Sequence, residues 1–196
     1  MGSRRVSRKR LYEVEKQGQA IDLESAEGIA GAIKSATQHR QGQEIITEIA
    51  IDLAPAGVTI ASGNGAGKPC AAATKKGAIT QLTIPKYGNI TEYRVVVVEA
   101  PTIGGVAKPI NVAMGSSGTE AQGGGAIAGH TEINGSTGLN TVGQDISLPL
   151  DTVATHQNPS GTPEFLYITD DGSNAGNYDG GKILIYLHGF AAPADL

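Results

Sequence analysis

Four stretches of this 196-residue chain carry side chains that can do chemistry. The first is Ser62-Gly63-Asn64-Gly65-Ala66-Gly67-Lys68-Pro69. A phosphate-binding loop requires Gly-x-x-x-x-Gly-Lys followed by Ser or Thr, whose hydroxyl holds Mg²⁺. Here Ser62 stands where the first glycine belongs and Pro69 where the hydroxyl belongs. No helical pattern follows to offer its N-terminus to an anion. The stretch reads as a flexible Gly-rich hairpin loop. The second is Asp170-Asp171-Gly172-Ser173-Asn174-Ala175-Gly176-Asn177-Tyr178-Asp179, rich in the hard oxygens that calcium takes. Its spacing departs from an EF-hand, since Ala175 sits where a ligand is needed and no Glu closes the loop. The same residue types build ordinary turns between strands, and the stretch is read as one.

The third is His130 with Glu132, an acid–base pair by type. It sits in a Gly-rich loop that promises no rigid pocket. His39, His130, His156 and His188 share no metal-ligand spacing. The fourth is Cys70, a single cysteine, which excludes an intramolecular disulfide and a cysteine-based zinc site. It lies in an Ala-rich run with no adjacent His to make a thiolate. A Gly-x-Ser-x-Gly nucleophile elbow is absent from the sequence. The expectation is a protein with no catalytic residue, metal or cofactor, and not an enzyme.

Charge is unevenly spread. Arg4, Arg5, Arg8, Lys9 and Arg10 make residues 1–10 +5, with no acid among them. The chain is −4 overall, so residues 11–196 carry −9. A basic arm on an acidic body docks elsewhere, on an acidic protein neighbour or on nucleic acid. The protein neighbour is favoured, because the body repels phosphate and no aromatic is interleaved in the arm for base stacking. The residues after the basic cluster, Leu11-Tyr12-Glu13-Val14-Glu15-Lys16, are too charged for a secretory signal. No apolar run approaches a membrane span of about 18 residues, so no membrane partner is expected.

The elements that must position these residues are strands. Gly is 28 of the residues and aromatics only eight, which points to a lean aliphatic core with irregular connections. From Glu44 to Leu53 the apolar period is two, with Ile45, Thr47, Ile49, Ile51 and Leu53 on one face. Further strands are expected over residues 58–61, 77–84, 90–99, 110–114, 146–150, 165–169 and 182–190. The strand at 146–150 is expected at an edge, because it contains Pro149. This spacing predicts an all-β, antiparallel β-sandwich or jelly-roll-like domain. Its core is placed at Ile45, Ile49, Ile51, Leu53, Val95, Val97, Ile183, Ile185 and Leu187. Ahead of it, residues 1–42 are read as the basic arm plus a helix, with residues 43–196 as the sandwich. Ser25 would cap that helix, which would run from Ala26 to Arg40 with Ile29 and Ile33 on one face. Residues 115–144 hold nine glycines and read as a long insertion expected to lie on a neighbouring subunit. A homo-oligomer, dimer or trimer, follows from that expectation and from the lean core.

Three stretches carry a resemblance. They are Gly2-Ser3-Arg4-Arg5-Val6-Ser7-Arg8-Lys9-Arg10-Leu11-Tyr12, Ser35-Ala36-Thr37-Gln38-His39-Arg40-Gln41-Gly42, and Gly180-Gly181-Lys182-Ile183-Leu184-Ile185-Tyr186-Leu187-His188-Gly189-Phe190. Together they resemble structural proteins of tailed bacteriophages, notably those of marine podovirus-like phages. The resemblance implies a virion component on the capsid surface, made in the host cytoplasm. Its first role is a capsid decoration (cement) protein, bound to the major capsid protein or other virion proteins through the arm Arg4, Arg5, Arg8, Lys9 and Arg10. The alternative is a head or tail fibre or knob module recognising a host glycan, for which Tyr178, Asp179 and Asp171 are the candidate residues. An internal DNA-contacting virion protein is the third reading.

Overall fold

The computed structural model describes residues 18–134, 138–149, 163–172 and 175–191. Its strands are β1 (Gln19–Ala20), β2 (Ile33–Gln41), β3 (Glu44–Asp52), β4 (Thr80–Leu82), β5 (Asn89–Ile103), β6 (Val106–Ala107), β7 (Ile110–Gly115), β8 (Thr131–Glu132), β9 (Asp145–Pro149), β10 (Glu164–Asp170) and β11 (Gly180–Phe190). Two single-turn helices, α1 (Glu27–Ala30) and α2 (Ile84–Tyr87), interrupt them. The chain is all-β. A large sheet runs β1-β2-β3-β11-β5-β6, with β9 also paired to β5, and a small sheet runs β4-β10-β7-β8. Each pairing is antiparallel.

Period-two alternation decides how the sheets meet. In β3 the burial pattern alternates strictly, with Ile45, Thr47, Ile49 and Ile51 turned inward. The long β11 pairs with β3 on one edge and β5 on the other, aligning Ile185 with both Ile49 and Val95. Ile49, Ile51, Val95 and Ile185 join Ile110, Val112 and Met114 of β7 and Leu166 and Ile168 of β10 in one apolar cluster. All nine expected core residues are buried. Tyr93 of the large sheet hydrogen-bonds the Met114 sulfur of the small one at 3.2 Å, so even its polar tip is used between the layers.

The helix expected over Ala26–Arg40 is corrected. Only Glu27–Ala30 is helical, and Ile33–Gln41 is strand β2, paired with β3 from Ile33↔Ile51 to Gln41↔Glu44. The i, i+4 pair Ile29 and Ile33 is shared between two elements, and between them Gly31 leaves room for Val58, which a Cβ would overlap. The apolar signal of β2 is weak because its buried inward residue is polar. Gln38 fills that place and donates to Thr47 Oγ1 (3.1 Å) and the Lys86 carbonyl (2.8 Å). Two expected strands shrink. Residues 58–61 make only isolated bridges at Ala61, and the strand read over 77–84 keeps Thr80–Leu82 before Pro85 starts α2.

The described residues of the glycine-rich segment after β7 pack on their own chain. Ile127, Ile133 and Leu139 are buried. Ile127 covers the outer face of the small sheet beside Tyr167, Ala78 and Phe165. The glycines are what permit the approach, since a Cβ on Gly115 would overlap Ile127 and one on Gly118 the Phe165 ring. Gln122 ties the segment down, its amide bonded to the Ser62 carbonyl (2.7 Å) and its N–H to the Lys75 carbonyl (2.9 Å). Ile127→Ala should therefore destabilise the dilute protein by about 2–4 kcal/mol, as for a filled core site. Denaturant unfolding at two protein concentrations checks this; no loss, or a loss seen only at high concentration, would place the segment elsewhere.

Candidate functional site

The outer face of the large sheet is one surface that the fold leaves for a partner. Its outward residues on β3, β5 and β11, such as Glu48, Ala50, Val96 and Leu184, are only partly buried. An antiparallel sheet with one wet face carries polar residues there, whereas strands covered on both faces read as continuous apolar runs. The centre of this sheet is of the second kind. Leu184 of β11 is flanked by Ala50 of β3 and Val96 of β5, all facing outward. Ile46 lies along β3 in the next outward row but one, and Val98, half exposed, continues the row of Val96 along β5.

Charges surround this apolar centre. Lys34 meets Asp52 at 3.9 Å, Lys182 pairs with Glu99, and Arg94 grips Asp145 with two bonds of 2.9 and 2.6 Å. Arg94 also lies over the Tyr186 ring, 5.5 Å from its centre. Its hydrogen bonds hold the Asp145 carboxyl below the usual carboxylate range. The Tyr186 hydroxyl reaches Glu48, and Ser147 donates to Glu92. Among the described residues, Glu44, Glu48 and Glu92 meet no cation within ion-pair distance. These three lie toward one end of the face, where Glu44 is opposite Phe190 and Glu92 opposite His188.

The residues singled out from sequence fall in separate places. Arg4, Arg5, Arg8, Lys9 and Arg10 lie outside the described residues, as does His156. Cys70 is fully buried with its sulfur 3.8 Å from the Tyr178 hydroxyl, and burial pushes the thiol up to about 12, so it stays protonated and inert. The Ser62–Pro69 loop, read as flexible, is tied down. Asp170 accepts from the Gly65 N–H at 3.3 Å through its carboxylate and from the Gly67 N–H at 3.2 Å through its carbonyl. Those amides are committed and form no open anion nest. His130 Nε2 is 4.0 Å from Glu132, beyond hydrogen-bond reach. The glycan trio does not converge. Tyr178 is buried against Cys70, Asp179 binds Thr102 and the Gly105 N–H, and Asp171 accepts from Asn111.

Sequence reasoning missed two features. One is a shallow groove of about 260 Å³ along β4, lined by Glu24, Lys76, Gln81 and Phe165 among others. No periodicity announces it, because its walls come from stretches of chain far apart in sequence, around Glu24, β4, Gly118 and β10. The other is Glu164 at the start of β10, opposite Leu82. Its Oε2 is buried without a hydrogen-bond partner, and burial raises its carboxyl from 4.5 to about 7.

No protein-family model, curated protein or solved structure matches the chain. No helix among the described residues is long and apolar enough to cross a membrane.

Glu164 gives a pH prediction. Its folded pKa is raised, so its contribution is fully present below about pH 4.5 and is lost as pH rises through about 7. The melting temperature should fall between pH 5 and pH 8, within roughly the window spanned by the two pKa values. Glu164→Gln should flatten that slope. Equal slopes in wild type and variant would show that this carboxyl is not desolvated.

Proposed function

We propose that this chain is a virion structural protein, a decoration or cement protein that binds the assembled head of a tailed phage. The observation that carries the reading is the outer face of the large sheet, apolar at its centre and rimmed by charge, on an all-β body. A body of this kind suits a part that is laid on a surface. The basic segment at Arg4–Arg10 and the resemblance to phage structural proteins support the same role. Binding only the assembled shell would stabilise it by mass action. The major capsid protein is the proposed partner, and the virion surface the proposed location.

A glycan-binding fibre or knob module is the second reading. One feature favours it. The groove along β4 sets the Phe165 ring beside Glu24 and Gln81, the aromatic face and polar groups that a sugar uses. A DNA-contacting role would rest on the five cations alone.

Co-sedimentation with purified shells tests the first reading. The full chain should pellet with assembled heads in many copies and not with unassembled capsid protein. Deleting residues 1–10 should leave the melting temperature unchanged and release the protein from the heads. Retention of the deleted form at physiological salt would remove the arm from the contact. Failure of the full chain to pellet, with binding on a glycan array, would favour the fibre reading.

A further inference from the structure

We propose that the groove along β4 binds an acidic saccharide, with Phe165 under a sugar ring, Gln81 and Glu24 on its hydroxyls and Lys76 on its carboxylate. The inference rests on the glycan reading of this groove and not on the capsid reading. Phe165 of β10 stands directly opposite Gln81 of β4. Their neighbours Leu166, Thr80 and Leu82 are buried, so ring and amide share the outer face of the small sheet. Side chains paired in this way have Cβ atoms about 4.5–5.5 Å apart. The backbone at Gly118 closes one side of the ring, where a Cβ would come within 2.4 Å of it. The ring is held by that contact and offers the groove a flat apolar surface. Thr80, also in the lining, spends its hydroxyl on Tyr87 at 2.7 Å. Gln81 and Glu24 are left for sugar hydroxyls at this end, one able to donate and accept, the other to accept.

The charges mark the chemical class. Glu24 and Lys76 both line the groove and are both exposed. Neither has an ion-pair partner among the described residues. The fold also keeps them from each other. The chain after Glu24 runs antiparallel to the chain after Lys76, with the Ala26 N–H on the Ala78 carbonyl (2.8 Å) and the Gly28 N–H on the Lys76 carbonyl (3.1 Å). Continuing that register sets Glu24 beside Thr80, four residues from Lys76, or about 13 Å of extended chain. Ala26 and Ala78, between them, are small and leave the floor open. Two left-handed residues hold the ends. Glu24 has φ +54, with its N–H on Asp22 Oδ1 (2.9 Å). Thr74 has φ +62, a conformation that a β-branched residue rarely takes. It turns the loop in which Lys75 pairs with Glu27 at 2.9 Å, and the next residue, Lys76, is left for the groove. Strained backbone of this kind gathers at ligand sites. The groove, about 260 Å³, lies just under the roughly 300–1,000 Å³ of sites for drug-sized ligands, so one or two sugar rings suit it. One cation at one end, with an aromatic ring and hydroxyl acceptors at the other, fits a sugar that carries one acid.

The test is an NMR titration of isotope-labelled full-length protein. The probes are sialyllactose and digalacturonate, which are acidic, and lactose, which is neutral. At least one acidic probe should shift the amides of Lys76, Gln81 and Phe165. At low salt it should bind about two- to fivefold more tightly than lactose, the worth of one exposed ion pair, and the preference should shrink as added salt screens the charges. Lys76→Gln should bring that probe down to the affinity of lactose. Glu24→Gln should weaken whichever probes bind, with an unchanged melting temperature. Lactose equal to both acidic probes would overturn the acidic class and leave the glycan reading of the groove standing. So would a preference for acid that survives Lys76→Gln. No shift with any probe, or shifts only elsewhere on the protein, would overturn both.

Discussion

The contact on which the molecule depends is the stacking of the β3–β11–β5 ladder on β7 and β10. β11 is paired along both edges, so every outward or inward choice made by one strand is imposed on its neighbours. Ile183, Ile185 and Leu187 therefore face the same way as Ile49, Ile51, Val95 and Val97. Burying each such side chain contributes about 1.5–3 kcal/mol before the entropy of ordering the chain is counted. With few aromatics available, Tyr87, Tyr93 and Tyr167 fill the largest spaces. Tyr93 and Tyr87 keep their hydroxyls satisfied, by Met114 and by Thr80.

That arrangement fixes what the connections can do. The small sheet's outer face is closed by the glycine-rich segment, whose missing side chains let Ile127 reach Tyr167. Loops that looked able to hold phosphate or a cation spend their polar groups on each other. Asp170, fully buried, draws in the amides of Gly65 and Gly172. The outer face of the large sheet has no such cover within the described chain, and it is the surface the proposed partners would use.

Much of this frame was legible in the residues. The inward-facing sets of β3, β5 and β11 follow from alternation, and the long apolar runs Val95–Val98 and Ile183–Leu187 marked the central strands. β2 was hidden because only its inward face needs to be apolar, and Gln38 occupies part of that face through hydrogen bonds that no pattern reports. Ile127, Ile133 and Leu139 were hidden for another reason. Each plugs a separate gap in a loop, so their spacing has no period. Glu164 gave no signal either, since its desolvation comes from strands distant in sequence.

The account turns on one sheet being buried on its inner face and offered to a partner on its outer face. Thiol labelling at Val98→Cys tests this most directly, against a background in which buried Cys70 stays silent. In dilute protein at high salt the new thiol should react at nearly the rate of a free cysteine. On protein bound to assembled heads it should slow by at least about tenfold, while Cys70 stays unreactive in both. Equal rates at Val98→Cys in the two states, or rapid labelling of Cys70 in the folded protein, would contradict it.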